Sequence, residues 1–239
     1  MEVQYTEERY MLRFAAAYYR GRALRTGKPV LDSTLADSQL EALTQEMAEE
    51  IVREGCSEED KLYYFKRTHE DMPRVRRTLG FLKSVRFESL LDVGSGRGVF
   101  LLPFMEQFPW VRVTSLDVLA HRVQFLQDLH AGGIAQLDAH LADICSAEIR
   151  EKSVDVVTML EVLEHIPDVA CAVAAAVRIA RKHVVVTVPS KPDDNPEHIH
   201  LLTKDVLTGL FEAAGCTRLR FDGVNGHLFM VATIESKGE

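Results

Sequence analysis

The run Asp92-Val93-Gly94-Ser95-Gly96-Arg97-Gly98 decides the fold, because it lies between a short apolar stretch and a helix-like segment. The apolar stretch is Ser89-Leu90-Leu91, and the helix-like segment begins at Val99. This order predicts a strand, a glycine-rich turn and the start of a helix. Glycines lack a Cβ atom, so the backbone can approach a ligand closely, and a helix start offers it free N–H groups. The run therefore indicates a bound nucleotide-like cofactor.

Strand and helix patterns alternate in the chain after Phe87. The strand-like runs are Ser89–Val93, Val111–Leu116, Ala135–Leu141, Val154–Leu160, Val184–Val188, Arg218–Phe221 and Leu228–Ile234. Helical patterns separate most of them, at Val99–Gln107, Ala120–Leu129, Val169–Arg181 and Lys204–Ala214. The alternation predicts a doubly wound, mostly parallel α/β sheet that is covered on both faces. Because only Gly223-Val224-Asn225-Gly226 joins the last two strands, we expect an antiparallel hairpin at one edge.

The first part of the chain is helical in pattern. Helices are predicted within Tyr5–Tyr19 and from starts at Asp37, Ser57 and Pro73, and Gly215 marks the expected end of the last helix of the chain. We therefore divide the chain into a helical N-terminal extension over residues 1–85 and an α/β domain over residues 86–239.

Composition excludes several classes of protein. The formal net charge of −8 disfavours indiscriminate binding to nucleic acid, and the four cysteines lack the spacing of a zinc ribbon or a disulfide framework. No apolar run is long enough to span a bilayer, and the acidic start does not resemble a signal peptide, so we expect a cytoplasmic protein without membrane contact. Residues 61–86 hold eight basic and two acidic residues. They form either a solvated helix face or a patch for an anionic substrate, such as a phosphate or an RNA backbone.

The spacing of the glycines separates the candidate cofactors. The pattern is D-x-G-x-G-x-G, whereas the dinucleotide fingerprint is G-x-G-x-x-G, and no G-K-S/T marks a phosphate-binding P-loop. Asp117 lies 19 residues beyond Gly98, at the end of the second predicted strand, where a carboxylate can accept hydrogen bonds from ribose hydroxyls. Asp143 ends the third predicted strand, and it is either an acceptor for an adenine amino group or a turn residue.

The chain resembles the class I S-adenosylmethionine-dependent methyltransferases over roughly residues 85–235. The matching segments are Leu91–Gly98, Leu116-Asp117, Ala142-Asp143, Val156–Pro167 and Pro196–Thr203. The resemblance implies a Rossmann-like sheet of seven strands with an antiparallel last strand, and S-adenosylmethionine as the cofactor. It also implies transfer of a methyl group to an acceptor, and we expect a small molecule methylated at oxygen or nitrogen.

The resemblance implies a role for each matching residue. The glycine loop would contact the methionyl part of the cofactor, and Asp117 would bind the ribose. The segment after the third predicted strand would contact the adenine, and the end of the fourth would lie beside the sulfonium. Asp92 would hold the loop or face the cofactor's ammonium group. The implied cofactor-binding residues are Asp92, Gly94, Ser95, Gly96, Gly98, Asp117, Val118, Asp143, Ile144, Leu160 and Glu161.

Three residues are candidates for the chemistry: Glu164, His165 and His198. A hydroxyl or ammonium acceptor must lose a proton, and a histidine is a suitable base near neutral pH. The competing interpretation is structural. Glu164-His165 would form a turn that caps the following helix or anchors the cofactor loop, and His198 or His200 would make a hydrogen bond within its own loop.

Two further functions stay open at this point. Glu161, Glu164, His165 and His198 match the divalent-metal ligands of the small-RNA 3′-terminal 2′-O-methyltransferases, although the acidic run Asp193–Glu197 suits RNA poorly. Nucleic acid is therefore an unexpected but not excluded partner, and our leading interpretation needs no metal. The other alternative is a regulatory subunit that binds the cofactor without catalysis. The sequence leaves the oligomeric state open.

Overall fold

The computed structural model describes residues 7–28, 43–56 and 62–235. Seven strands form one sheet in the order β3-β2-β1-β4-β5-β7-β6. Strand β7 runs antiparallel to both of its neighbours, β5 and β6, and the other pairs are parallel. This confirms the predicted α/β class and the seven-stranded Rossmann-like sheet. The strands are β1 (Ser89–Val93), β2 (Arg112–Asp117), β3 (Leu137–Leu141), β4 (Val154–Leu160), β5 (Ala180–Pro189), β6 (Leu219–Val224) and β7 (His227–Thr233).

Helices precede the sheet and connect most of its strands. The described α-helices are α1 (Leu12–Thr26), α2 (Gln45–Gly55), α3 (Pro73–Lys83), α4 (Leu101–Gln107), α5 (Ala120–Ala131), α6 (Val169–Ile179) and α7 (Lys204–Ala213). Each of the last four lies close to a sequence-predicted helix. The predicted hairpin is also confirmed, since β6 and β7 meet at Asn225-Gly226, whose φ angles of 39° and 86° fit a tight two-residue turn. Gly215 has a φ of 82°, as expected of a glycine just beyond a helix end.

Two apolar cores lie on opposite faces of the sheet. Side chains of α1 to α5 pack on one face with residues such as Leu90 and Val113. Side chains of α6 and α7 pack on the other face with their neighbours Leu91 and Leu116. Consecutive strand residues point to opposite faces, and both faces are covered, which explains why central strands such as β1 are buried without alternation.

The N-terminal extension is fastened to the domain where α1 crosses α5. A Cβ atom on Gly21 would lie 1.8 Å from the carbonyl oxygen of Asp128, and one on Gly132 would lie 1.7 Å from that of Ala17. The two helices therefore approach closely because each has a glycine at the contact. Beside it, Arg25 donates two hydrogen bonds of 2.8 Å to the buried carboxylate of Asp128.

The N-terminal predictions need correction. The first helix begins at Leu12, because residues 9 and 11 instead bond to the segment at residues 65–67. The starts predicted at Asp37 and Ser57 lie outside the described residues, and the described part of the second helix begins at Gln45. The third predicted helix was wrong over Leu62–Phe65, which forms a 3₁₀ turn, since the Phe65 carbonyl accepts a hydrogen bond from Met11 instead of continuing a helix.

In the parts of the chain that the structure describes, no helix has the length and apolar character needed to cross a membrane. The division into residues 1–85 and 86–239 stays a prediction. The helices on both sides of that boundary share the same apolar core.

Candidate active site

The glycine loop leaves β1 with a conformation that side chains rarely adopt. Gly94, Gly96 and Gly98 have φ angles of 69°, 55° and 75°. A Cβ atom on Gly94 would lie 2.5 Å from a methyl group of Val162, so this position admits no side chain without a shift of its neighbour. The N–H of Gly94 donates to the carbonyl of Leu116 at 2.7 Å, which ties the loop to the end of β2.

Asp92 stabilises this loop from inside the sheet. It is 3% exposed, and its carboxylate accepts a hydrogen bond of 2.6 Å from the Thr158 hydroxyl. Burial raises the pKa of Asp92 to about 6, against the lowering effect of hydrogen bonds from Ser95 and Thr158. Ser95 also lies 2.7 Å from the hydroxyl of Ser115, which fixes the loop against β2.

Asp117 lies at the end of β2, and both of its carboxylate oxygens are already engaged. One accepts from the backbone N–H of Gly96 at 3.1 Å, and the other accepts from Leu119 at 2.9 Å. The carboxylate therefore joins the glycine loop to the loop after β2. Each carboxylate oxygen has a second lone pair, so a ribose hydroxyl can still be accepted there.

The residues assigned to the adenine lie at the same edge of the sheet. Val118 is 65% exposed, and Asp143 is exposed after β3, where its carboxylate accepts from the N–H of Cys145 at 2.9 Å. Ile144 is buried in the apolar core beneath them. The observed Asp143 bond is that of a turn residue, and its contact with adenine stays a prediction.

Glu161 follows β4 in a left-handed conformation with a φ of 58°, which is unusual for a residue with a side chain. The neighbouring strands hold it there. Its N–H donates to the Thr187 carbonyl at 2.9 Å, and its carboxylate accepts from the Thr187 hydroxyl at 2.8 Å. Its other oxygen lies 2.9 Å from Nε2 of His227. The turn at Glu161 directs the chain from Leu160, at the end of β4, into the segment of Glu164 and His165.

Glu164 is buried but lacks a partner. It is 1% exposed, and neither of its carboxylate oxygens has a hydrogen-bond partner among the described residues. Burial raises its pKa to about 8. The residue's own backbone N–H opposes the rise, Glu161 and Asp193 add to it, and Arg74 opposes it weakly. A buried carboxyl without donors is costly when charged, so this group is mainly protonated at neutral pH.

The structure brings together His165 and His198, which are far apart in sequence. Their ring centroids are 4.8 Å apart, and Glu164, His165 and His198 each offer one ligand atom within 4.8 Å of the others. Nδ1 of His165 lies 2.9 Å from the Glu197 carbonyl oxygen, and Nδ1 of His198 lies 2.8 Å from the Asp193 carboxylate. Since both partners are acceptors, each Nδ1 carries a proton, and Nε2 of a neutral ring keeps its lone pair.

His200 has a different position. Its Nε2 lies 3.1 Å from the Ile166 carbonyl oxygen, which secures the loop after β5 to the turn after β4. The Ile199 N–H donates to the Glu164 carbonyl at 3.0 Å, and this bond adds to the same connection. The structural interpretation of the histidine loop therefore holds for His200.

A pocket of about 170 Å³ lies at the ends of β1 and β4, and Glu164, His165 and His198 are not among the residues that line it. Its wall contains the glycine loop, Asp92, Leu160 and Glu161, together with Arg74 from α3 and Arg97 from the loop itself. A larger depression of about 570 Å³ lies on the sheet face beside β1, β2 and β3, and it contains none of the candidate site residues. We place the active site at the smaller pocket, because ligands in such sheets bind outside the carboxyl ends of the strands.

The N-terminal extension also contacts the glycine loop through two aromatic residues. Arg97 donates to the Tyr63 hydroxyl at 3.2 Å, and its guanidinium lies 5.3 Å and 5.6 Å from the ring centroids of Tyr63 and Tyr64. These contacts place part of the extension against the glycine loop.

A sequence profile described as a methyltransferase domain matches residues 64–220, about two thirds of the chain. The chain belongs to this family. The match begins within the predicted N-terminal extension and covers all of the sequence-predicted site residues, from Asp92 to His198. The protein is an S-adenosylmethionine-dependent methyltransferase, and its cofactor is S-adenosylmethionine.

Solved structures share the fold of this methyltransferase. An S-adenosylmethionine-dependent methyltransferase from Aquifex aeolicus is 18% identical, with a TM-score of 0.57, over 70% of this chain and 92% of that one. The N-terminal domain of EvdMO1, solved with S-adenosylhomocysteine bound, is 14% identical, with a TM-score of 0.53, over 68% and 81%. Identities this low show the fold alone.

One curated relative matches a short stretch. The ribosomal RNA small subunit methyltransferase G of Leuconostoc citreum is 41% identical over 51 residues, 20% of this chain. The match spans only 21% of that protein's length. It supports the methyltransferase class and leaves the acceptor open.

Sequence reasoning missed several residues that shape the methyltransferase site. Thr158 bonds Asp92, Thr187 and His227 hold Glu161, and Arg74 enters the pocket wall. Thr158 and Thr187 interrupt apolar strands, which is a usable signal for a buried hydrogen bond. Neither His227 nor Arg74 carries such a signal, because strand order and helix packing bring them to the site.

Proposed function

We propose that the protein transfers a methyl group to an oxygen or nitrogen of a small-molecule acceptor, and that His165 or His198 removes the acceptor's proton. The observation that carries this proposal is the pair of imidazole rings 4.8 Å apart, His165 from the turn after β4 and His198 from the loop after β5. Each ring is held through Nδ1, which leaves Nε2 as the basic atom.

The chemistry requires alignment and one proton acceptor. The acceptor's lone pair attacks the methyl carbon in line with the sulfonium, the carbon–sulfur bond breaks, and its electrons stay on sulfur. The products are the methylated acceptor and S-adenosylhomocysteine, and the proton passes to the imidazole. Alignment supplies much of the rate, and general-base catalysis typically adds about 10²- to 10⁴-fold.

A small acceptor fits the charges around the pair. The loop that carries His198 contains Asp193 and Asp194, and the whole chain has a net charge of −8. Acidic groups at this position repel a polyanionic backbone, whereas a small molecule contacts only the pocket.

The experiment compares two acceptor pools with labelled S-adenosylmethionine. One pool is a cell extract that has passed a small-pore filter, and the other is total RNA. We expect label in the filtered pool, and a loss of about 10²-fold or more for His165→Asn or His198→Asn. The control is His130→Asn, an exposed histidine in the last turn of α5. Label in RNA alone, or full activity in both site variants, would overturn the proposal.

A second candidate function is divalent-metal-assisted 2′-O-methylation of an RNA 3′ end. The close group of Glu164, His165 and His198 favours it, and their chemistry fits a divalent ion. The two unpartnered oxygens of Glu164 are the supporting observation, because a cation would supply the charge that the buried carboxyl lacks. Glu161 is bonded to Thr187 and His227, so it is outside this group.

Glu164, His165 and His198 would hold such an ion, and the bound ion would in turn bind hydroxyl groups of the acceptor. Titration with cobalt(II), followed by its visible absorbance, tests the site without a turnover assay. A tetrahedral or five-coordinate spectrum that Glu164→Gln removes and Glu197→Gln keeps would support this candidate. An unchanged spectrum of aqueous cobalt(II) would exclude it.

A further inference from the structure

A second cleft, of about 400 Å³, lies at the end of the sheet opposite to the glycine loop. We call it the Trp110 cleft, and its wall includes Lys83, Arg86, Phe108, Trp110 and Lys182. These residues lie at the end of α3, before β1, before β2 and at the start of β5. The cofactor-binding residues instead follow the carboxyl ends of the parallel strands. The Trp110 cleft is therefore separate from the methyltransferase site.

An exposed indole ring forms one side of the Trp110 cleft. Trp110 is 69% exposed, and it is the one tryptophan of the chain. Its ring centroid lies 5.8 Å from that of Phe108, and Phe108 packs at 5.4 Å and 4.9 Å against Phe87 and Phe104. Phe87, Phe104 and Phe108 are buried. The indole is thus fixed at the end of a buried aromatic cluster while most of its surface is free for a ligand.

Three cations line the same cleft: Lys83, Arg86 and Lys182. Lys182 is engaged, because its ammonium donates to the Arg86 carbonyl at 3.0 Å and lies 3.4 Å from the Asp155 carboxylate. The exposed side chains of Lys83 and Arg86 form no hydrogen bond or ion pair with the residues that the structure describes. Glu88 is the one acidic residue of the wall. The Trp110 cleft therefore has an excess of positive charge in a protein whose net charge is −8.

The structure also shows where the basic residues of the segment 61–86 lie. Arg67 pairs with Glu106, and Arg77 pairs with Asp222. Arg74 enters the wall of the active-site pocket, whereas Lys83 and Arg86 reach the opposite end of the sheet. The segment is therefore not one continuous basic face, and its last two cations meet the aromatic cluster.

We propose that the Trp110 cleft binds a nucleotide, with its base against Trp110 and its phosphate held by Lys83 and Arg86. Aromatic side chains stack on bases of any identity, and ammonium and guanidinium groups both bind phosphate. The volume of about 400 Å³ lies in the range of small-molecule sites. Two unpaired cations suit one phosphate group, and the acidic charge of the whole protein opposes a longer polyanion. The ligand is thus a single nucleotide and not a nucleic acid strand.

Tryptophan fluorescence tests the proposal directly, because Trp110 has no other indole to mask it. The protein is first saturated with S-adenosylhomocysteine, so that the cofactor site is occupied. Guanosine monophosphate, guanosine and inorganic phosphate are then titrated, and free N-acetyltryptophanamide corrects for light absorbed by the nucleotide. We expect guanosine monophosphate to change the emission saturably. Calorimetry should show that guanosine and phosphate bind about 10-fold or more weakly, since each lacks one of the two contacts.

Variants of the cleft separate the two contacts. The double variant Lys83→Gln and Arg86→Gln should bind guanosine monophosphate about 10-fold or more weakly. Its matched control, Arg76→Gln with Arg150→Gln, removes the same charge from exposed positions outside the cleft and should bind like the wild type. Trp110→Ala, followed by calorimetry because it removes the fluorophore, should also bind about 10-fold or more weakly, and Trp110→Tyr should retain most of the affinity.

Three results would overturn the proposal: unchanged Trp110 emission with guanosine monophosphate, wild-type affinity in the cleft variants, or binding of a short single-stranded RNA without binding of the nucleotide. Urea unfolding of each variant shows whether a lost affinity reflects a lost fold. All of these readouts measure binding, so a failure of the histidine-base proposal would leave them unchanged.

Discussion

The unpartnered carboxyl of Glu164 makes the stability of the protein depend on pH in a defined direction. Its pKa is raised from 4.5 to about 8 in the folded state, because burial penalises the charged form. Between these two values the folded state keeps a proton that the unfolded state has lost. Raising the pH through this window therefore destabilises the fold, by about 1.4 kcal/mol for each pH unit. The contribution is fully present below pH 4.5 and lost by pH 8.

The substitution Glu164→Gln removes this titration and leaves a neutral side chain of the same size. From pH 4.5 to pH 7 the wild type loses about 3 kcal/mol relative to the variant. Burying the amide of the variant without hydrogen-bond partners also destabilises the fold, by about 1–3 kcal/mol, but this cost does not vary with pH. The informative quantity is therefore the difference between the two pH slopes.

Urea unfolding at pH 5, 6, 7 and 8 measures this difference directly. We expect the free energy of unfolding of the variant to rise relative to the wild type at each step. Glu197→Gln serves as the control, because Glu197 is exposed in the adjacent loop and its substitution changes the charge equally. Parallel pH profiles for the wild type and Glu164→Gln would refute the reasoning, as they would mean that Glu164 titrates as an exposed group.

Three further predictions concern the loop, the cofactor and the extension. Gly94→Ala should lower the free energy of unfolding by about 2 kcal/mol or more and abolish calorimetric binding of S-adenosylhomocysteine. The reasons are the φ of 69° at Gly94 and the 2.5 Å distance from a Cβ atom there to Val162. The control Gly80→Ala, on an open helix surface, should raise the free energy of unfolding by up to about 1 kcal/mol. Equal stability of the two variants would contradict this account of the loop. Asp117→Asn should weaken the binding of S-adenosylhomocysteine about 10- to 100-fold in the same assay, since an amide cannot accept hydrogen bonds through both of its terminal atoms. The control Asp138→Asn on β3 should leave the affinity unchanged. An unchanged affinity of Asp117→Asn would show that Asp117 is not part of the cofactor site. Arg25→Ala should lower the free energy of unfolding by about 2–3 kcal/mol, because the buried carboxylate of Asp128 would lose its cation and keep only the side-chain donor Gln124. An equal loss for the exposed Arg13→Ala would show that the ion pair does not account for the effect.

The sequence by itself determined the features that depend on short-range spacing. The strand, glycine loop and helix around Gly94, the carboxylate at Asp117, the hairpin at Asn225-Gly226 and the class of cofactor all follow from patterns within a few residues or between successive strands. Such patterns report backbone conformation and strand order, both of which are largely local consequences of residue type.

Tertiary structure alone decided the state of the side chains at the acceptor end. Glu164 became a buried acid, Glu161 was held between β5 and β7, His165 met His198 from the loop after β5, and Arg74 entered the pocket wall from α3. Each of these states depends on desolvation and on neighbours supplied by distant segments, and none of them can be derived from local spacing. For the same reason, Leu62–Phe65 forms a 3₁₀ turn and not the predicted helix, because the Phe65 carbonyl accepts a hydrogen bond from the distant Met11 N–H.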